Sequence, residues 1–218
     1  MRLTATKRGR ITMQTPVKVT RSASQVRGSS VWLDPRETFQ VKELFLAAAL
    51  RSANDATFLI AEFFGNGNVG NFIKRMNQFA REIGMNQTHY YNPHGLPGKN
   101  AAADNVSTAE DMARLAIYTL TKPELMKFFS TRIAGFRSSR SKAYQMLINH
   151  NGLLPKGRFG TEGVDGLKTG FTNRAGFCST ITCQRNGRRM VAMVSGFPSA
   201  TSRDKFLRDL LNWGYRQK

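Results

Sequence analysis

Two short clusters carry most of the reactive chemistry in this chain. Lys168-Thr169-Gly170 closes a glycine-flanked segment, Val164-Asp165-Gly166-Leu167, and is followed by Phe171-Thr172. Lysine and threonine on an extended strand beside a glycine can lay backbone against an incoming peptide, while ammonium and hydroxyl together hold a carboxylate. Ser52-Ala53-Asn54 sets a hydroxyl and an amide two residues apart. The serine can relay a proton, and the asparagine can donate to and accept from a substrate amide at once. Taken singly, each cluster is ordinary: an exposed lysine before a turn, or a helix-capping turn.

Other chemistries find less support. His89, His94 and His150 form no H-x-x-x-H or H-x-x-E-H pattern, so no metal site and no cofactor are expected. Cys178 and Cys183 lie five apart in a segment that reads as a strand, which sends their side chains to opposite faces and rules against a mutual disulfide. Lys+Arg 33 against Asp+Glu 14 gives a formal charge of +19. The basic residues are spread out, with short knots at Lys7 to Arg10, Arg137 to Lys142 and Arg185 to Arg189, and none forms a nucleic-acid reader motif. A solvated basic surface suited to anionic surroundings is the favoured reading, and specific nucleic-acid binding is not expected.

With 218 residues and 40% apolar composition, the chain is long enough for a real core. Its longest unbroken apolar run, Leu44 to Leu50, falls far short of the ~18 residues a spanning helix needs. Met1-Arg2-Leu3-Thr4 opens no apolar leader, so no signal peptide is visible.

The elements that must position the two clusters follow from periodicity. Pro16 to Thr20 alternates and predicts a short extended piece. Apolar stretches from Thr38 to Phe64 predict two helices joined at the polar Arg51 to Asp55. Phe72, Met76, Phe79 and Ile83 mark an amphipathic helix over Asn68 to Ile83, stopped by Gly84. Asn92 to Gly98 is a turn cluster in a loop running to Ser107, where Ser107-Thr108-Ala109-Glu110 predicts a capping box opening a helix to about Thr121. Pro123 starts another helix with Leu125, Phe128 and Phe129. Gly163 to Gly170, Phe177 to Gln184 and Arg188 to Phe197 predict three strands, the last two joined at Asn186-Gly187. Ser202 to Tyr215 predicts a closing helix with an apolar stripe of Phe206, Leu207, Leu210, Leu211 and Trp213. Helices first, antiparallel strands next and a covering helix last make an α+β order.

Read together and in this order, the clusters resemble the S-x-N and K-T-G motifs of penicillin-binding proteins and class A β-lactamases. The flanks are similar to the low-molecular-weight serine D-alanyl-D-alanine carboxypeptidases. They include Arg27-Gly28-Ser29-Ser30, Arg51 to Ala56, Asn92 to Leu96, Ser107 to Ala113, Asn149 to Leu154, Gly163 to Thr172 and Leu211 to Tyr215. The resemblance runs from about Gly9 to the C-terminus. It implies a β-lactamase/transpeptidase-like α+β fold, an antiparallel sheet packed with helices. It also implies a single penicillin-binding catalytic-type domain over residues 1–218.

The family's activity is removal of the terminal D-alanine from a peptidoglycan stem peptide by a serine nucleophile, through an acyl-enzyme. Carried over by position, Lys168 and Thr169 grip the terminal carboxylate, with Gly170 beside them. Ser52 passes a proton to the leaving amine and Asn54 holds the substrate amide. The backbone N–H of Phe171 forms half of an oxyanion hole, a contribution that reaches ~3–4 kcal/mol. Arg203 is a further candidate for carboxylate steering. The implied partners are the stem peptide and β-lactams, and the implied location is the periplasm or cell envelope.

One motif is not matched. S-x-x-K should precede Ser52, yet Ser139/Lys142 and Ser202/Lys205 both follow it. Thr4/Lys7 and Thr15/Lys18 precede it with threonine, the first with barely one helical turn before Gly9 and the second followed at once by Pro16. Neither builds the family geometry. The expectation is therefore an N-terminally incomplete domain, without the nucleophile helix and without the β-domain that some members carry after the catalytic one. A nucleophile-free relative that binds peptidoglycan peptides is the alternative.

Overall fold

The structure is a computed structural model that describes residues 11–217, so Thr4, Lys7 and Gly9 lie outside the described residues. The chain forms two compact units.

The first unit takes the described part of Met1–Met76 together with Asn92–Gly95 and Ile133–Ile148. Strand β1 (Pro16–Lys18), where alternation predicts it, pairs antiparallel with β2 (Thr38–Gln40), Val17 opposite Phe39. β2 corrects the expectation that helix starts at Thr38. Helix α2 (Val41–Arg51) begins only where Glu43 reaches back to accept the Gln40 N–H at 2.7 Å, satisfying a donor at the helix entrance. Before it lies α1 (Arg21–Ser24), a single turn capped by Thr20, whose hydroxyl accepts the Ala23 N–H at 3.2 Å. α2 packs against α3 (Asn54–Phe64), and Leu44, Ala47, Leu50, Ala56, Leu59 and Phe64 are buried. The amphipathic helix is α4 (Val69–Glu82), of which residues 69–76 belong to this unit.

A hairpin that periodicity did not predict, β3 (Ile133–Phe136) and β4 (Gln145–Ile148), lies against α2. Its Phe136 ring stacks on Phe39 with centroids 4.9 Å apart. Arg137, expected in a solvated basic knot, is instead 5% exposed at its side chain. Its guanidinium bonds Glu37 at 2.7 and 2.9 Å and the carbonyls of Val31 and Trp32 at 3.0 Å, and lies over the Phe39 and Phe136 rings.

The second unit takes Asn77–Tyr91, Leu96–Arg132 and the described part of Asn149–Lys218. Helix α5 (Ala109–Leu120) is capped by Thr108, not by Ser107 as predicted: the Thr108 hydroxyl accepts the Asp111 N–H at 3.1 Å. The Ser107 hydroxyl is instead engaged with the Thr88 hydroxyl at 2.8 Å, and the Asp111 carboxylate accepts from the Gln87 N–H and the Thr88 hydroxyl at 2.8 and 2.7 Å. α6 (Pro123–Ser130) follows with Pro123 in its first turn. The three predicted strands form one antiparallel sheet in the order β5 (Val164–Thr172), β6 (Gly176–Arg185), β7 (Arg188–Phe197). Asn186 and Gly187 turn β6 into β7 with φ of 48° and 77°, the two positive values a primed turn requires.

α7 (Ala200–Arg216) covers one face of the sheet. Leu207 and Leu211 join Leu153, Leu154, Val164, Ile181, Cys183 and Val194 in a single core. Phe206 and Trp213 do not belong to that stripe, being 48% and 56% exposed; Arg203 and Asp204 occupy the inward positions of the first turn instead. Strand alternation turns Thr182 away from Ile181 and Cys183, toward Gly166. A Cβ on Gly166 would stand 3.3 Å from Met126 and 3.7 Å from Phe129, which places α6 on that second face. β6 is therefore buried from both sides. Helices packed on antiparallel strands make the fold α+β.

Candidate functional site

Ser52 and Asn54 belong to the first unit. α2 ends at Arg51 and α3 starts at Asn54, so a two-residue joint turns the chain between them. Ser52 makes the turn in the left-handed region, φ 56° and ψ 37°, a conformation a non-glycine residue adopts at a cost of order 1 kcal/mol. The Ala53 N–H closes the joint onto the Ala47 carbonyl at 3.2 Å. Asn54, 8% exposed, donates its backbone N–H to the Ser29 carbonyl at 2.8 Å and its Nδ2 to the Arg27 carbonyl at 3.0 Å.

Asp55 completes this arrangement, and sequence reading assigned it only to the capping turn. Its carboxylate, 1% exposed, accepts the Ser30 hydroxyl at 2.5 Å and the N–H groups of Val31 and Leu33 at 3.3 and 3.1 Å. One signal could have marked it: a carboxylate opening a helix that continues into the apolar Phe58 to Ala61 needs partners from elsewhere once that turn is buried. Asn54 and Asp55 together stitch residues 27–33 to the start of α3.

Lys168, Thr169, Gly170, Phe171 and Arg203 belong to the second unit. β5 is an edge strand of its sheet among the described residues, with Lys168 opposite Thr180, Thr169 opposite Ser179, Gly170 opposite Cys178 and Phe171 opposite Phe177. Alternation sends Lys168 and Gly170 to the α6 side and Thr169 and Phe171 to the α7 side. Phe171, 54% exposed, stacks on Phe177 with centroids 4.2 Å apart. An edge strand whose outer backbone positions have no ladder partner is the usual receiver of an extended peptide.

The Lys168 ammonium donates to the Thr169 carbonyl at 2.8 Å. Burial pushes its pKa down from the ordinary 10.5 to about 8, and the positive charge of Arg203 adds to the shift. Arg203 itself is 3% exposed. It donates Nε to Asp204 at 2.8 Å and Nη1 to the Cys178 carbonyl at 3.2 Å, one strand behind Gly170. Burial raises the pKa of Asp204 despite the guanidinium beside it. The structure thus gathers Ser52 with Asn54 on one turn, and Lys168 to Phe171 on one strand with Arg203 behind it. The cysteines are both free. Among the described residues no cluster of His, Cys, Asp and Glu could hold a metal ion, and no helix is long and apolar enough to cross a membrane.

The D-alanyl-D-alanine carboxypeptidase family model matches residues 1–199. The D-alanyl-D-alanine carboxypeptidase DacF of Bacillus subtilis is 33% identical over 210 residues, 96% of this chain and 51% of that protein. The chain therefore spans about half the length of such relatives. Among solved structures, the D-alanyl-D-alanine carboxypeptidase DacD from Francisella tularensis superposes with a TM-score of 0.84 at 26% identity, covering 94% of this chain and 59% of that one. A penicillin-binding protein from Listeria monocytogenes in its ampicillin-bound form gives 0.78 at 27% identity, covering 94% and 78%. With the S-x-N turn, the K-T-G edge strand and these likenesses in agreement, the chain belongs to the D-alanyl-D-alanine carboxypeptidase family.

Proposed function

We propose that this chain carries the proton-relay and carboxylate-gripping elements of a serine-type D-Ala-D-Ala carboxypeptidase acting on peptidoglycan stem peptides in the cell envelope. The observation that carries the reading is the K-T-G strand: an edge strand presenting Lys168 and Thr169 beside an open Gly170, with a lysine whose pKa is tuned to about 8. In this reading the donor tail adds to β5 as a further strand, and the Lys168 ammonium, folded back to the Thr169 carbonyl, and the Thr169 hydroxyl hold its terminal carboxylate. A serine oxygen attacks the carbonyl between the two D-alanines, and the Phe171 N–H stabilises the oxyanion. The C–N bond breaks as Ser52 passes a proton to the leaving D-alanine amine, and Asn54 holds the substrate amide. Water then hydrolyses the ester. Arg203, engaged with Asp204 and the Cys178 carbonyl, acts by its charge on Lys168 more than by a direct grip. The names of the relatives and the ampicillin-bound neighbour support both the substrate class and β-lactams as ligands.

The nucleophile is not assigned to a residue of this chain. Fluorescent penicillin should leave the chain unlabelled and label it when it is joined to a segment supplying S-x-x-K ahead of Ser52. Failure of the joined protein to label would overturn the enzyme reading.

A second reading rests on the K-T-G edge strand alone, which can bind a stem peptide without acylation by it. Retention on purified peptidoglycan at moderate salt, lost in Lys168→Ala, separates carboxylate recognition from general charge.

A further inference from the structure

The β3–β4 hairpin presents an outward face of unusual composition. Ile133 pairs with Ile148 and Gly135 with Met146 on that face, while Ala134, Phe136 and Leu147 alternate to the other side, where Phe136 and Leu147 are buried. Ile133, Met146 and Ile148 are 45%, 57% and 54% exposed, and the Tyr144 ring lies against Gly135. An antiparallel pair with one buried face ordinarily turns polar residues outward, and this one turns none. The connecting loop carries exposed Arg140 and Lys142, and residues 133–148 contain no aspartate or glutamate. Beside the hairpin stands Trp32, 68% exposed at φ 52°, its N–H donating to Ser30 Oγ at 2.8 Å and its carbonyl accepting from Arg137 at 3.0 Å.

We infer that this hairpin, with Trp32 beside it, docks the protein on an anionic lipid bilayer, the apolar face and Tyr144 entering the headgroup boundary while Arg140 and Lys142 meet lipid phosphates. Aliphatic side chains, amphipathic aromatics and basic residues without carboxylates are the composition of an interfacial anchor. A glycan strand would be met by polar and aromatic groups and gives Ile133, Met146 and Ile148 nothing to bury against. A second copy would bring two surfaces of +19 together.

The test is sedimentation of the full chain with vesicles of equimolar phosphatidylcholine and phosphatidylglycerol, and of phosphatidylcholine alone, at about 0.15 M salt. Binding to the mixed vesicles is expected to weaken about tenfold in Met146→Ser/Ile148→Ser and by a similar factor in Arg140→Gln/Lys142→Gln. An equal charge loss on α4, Lys74→Gln/Arg81→Gln, should stay within about twofold of the parent. Tyr144→Trp should be quenched by brominated lipid beyond what Trp32 and Trp213 give in the parent. The inference is overturned if the serine variant binds like the parent, if the α4 variant loses as much as the loop variant, or if the Tyr144→Trp signal is not quenched. It is equally overturned if the hairpin variants abolish retention on peptidoglycan in place of lipid, or convert a dimer to a monomer.

Discussion

Ser30 donates its hydroxyl to Asp55 at 2.5 Å, joining the loop after Arg27 to the first turn of α3, one residue beyond Asn54. The same carboxylate takes two backbone N–H groups from that loop, so its removal strands several buried donors at once. Asp55→Ala should lower stability by about 2–4 kcal/mol in urea unfolding, while Ser30→Ala should cost about 1 kcal/mol. A loss under 1 kcal/mol for Asp55→Ala would show that the loop is held by other means.

Arg137 and Glu37 form a clamp whose parts are a hundred residues apart. Arg137→Met should destabilise by about 3 kcal/mol, since it leaves the Glu37 carboxylate and two carbonyls without their donor. The Arg137 guanidinium holds the Glu37 pKa below its ordinary 4.5, so the stabilisation is fully present above that value and is lost as pH falls through the lower folded value. Acid unfolding of Arg137→Met should therefore be less steep than that of the parent.

Lys168 should titrate with a midpoint near 8, followed by the 13Cε shift of labelled lysine. Above that pH the ammonium disappears, and carboxylate-dependent capture of a D-Ala-D-Ala peptide should weaken by up to about tenfold per pH unit. Stability moves the opposite way: between about 8 and 10.5 the unfolded chain holds the proton that the folded chain has lost, so the fold gains stability as pH rises. Arg203→Gln, which removes a neighbouring positive charge, should shift the midpoint upward.

Gly163 and Gly170 bracket the same strand segment for different reasons. At Gly163, φ is 77° and a Cβ would stand 2.3 Å from the Gln184 carbonyl oxygen, so Gly163→Ala should cost more than 2 kcal/mol in thermal or urea unfolding. A Cβ at Gly170 meets nothing within 4 Å. Gly170→Ala should leave stability within about 0.5 kcal/mol and still weaken retention on peptidoglycan several-fold, because the methyl would occupy space that the proposed peptide needs. Unchanged retention would remove Gly170 from the site.

Much of this architecture is local and was legible. The Asn186-Gly187 turn, the amphipathic stripe of α4 and the polar joint between α2 and α3 each depend on residues within a few positions of one another. What was not legible depends on distant partners. Arg137 read as part of a solvated basic knot because its acceptors, Glu37 and the carbonyls of Val31 and Trp32, lie about a hundred residues away. Phe206 and Trp213 read as core because a helix stripe reports which residues share a face, not how far the facing sheet extends beneath them. The cap of α5 falls on Thr108, one residue later than predicted, while the Ser107 hydroxyl is engaged with Thr88, nineteen residues away.

By itself the sequence determined the order of the S-x-N and K-T-G motifs, the α+β sequence of elements and the family to which these point, since all three are carried by short-range spacing. Only the tertiary structure decided that Asp55 is the knot of the serine turn, that Lys168 loses part of its basicity, and that the hairpin turns isoleucine and methionine outward. Desolvation and pairing set those properties, and both are fixed by the segments that close around a side chain, which its neighbours in sequence do not specify.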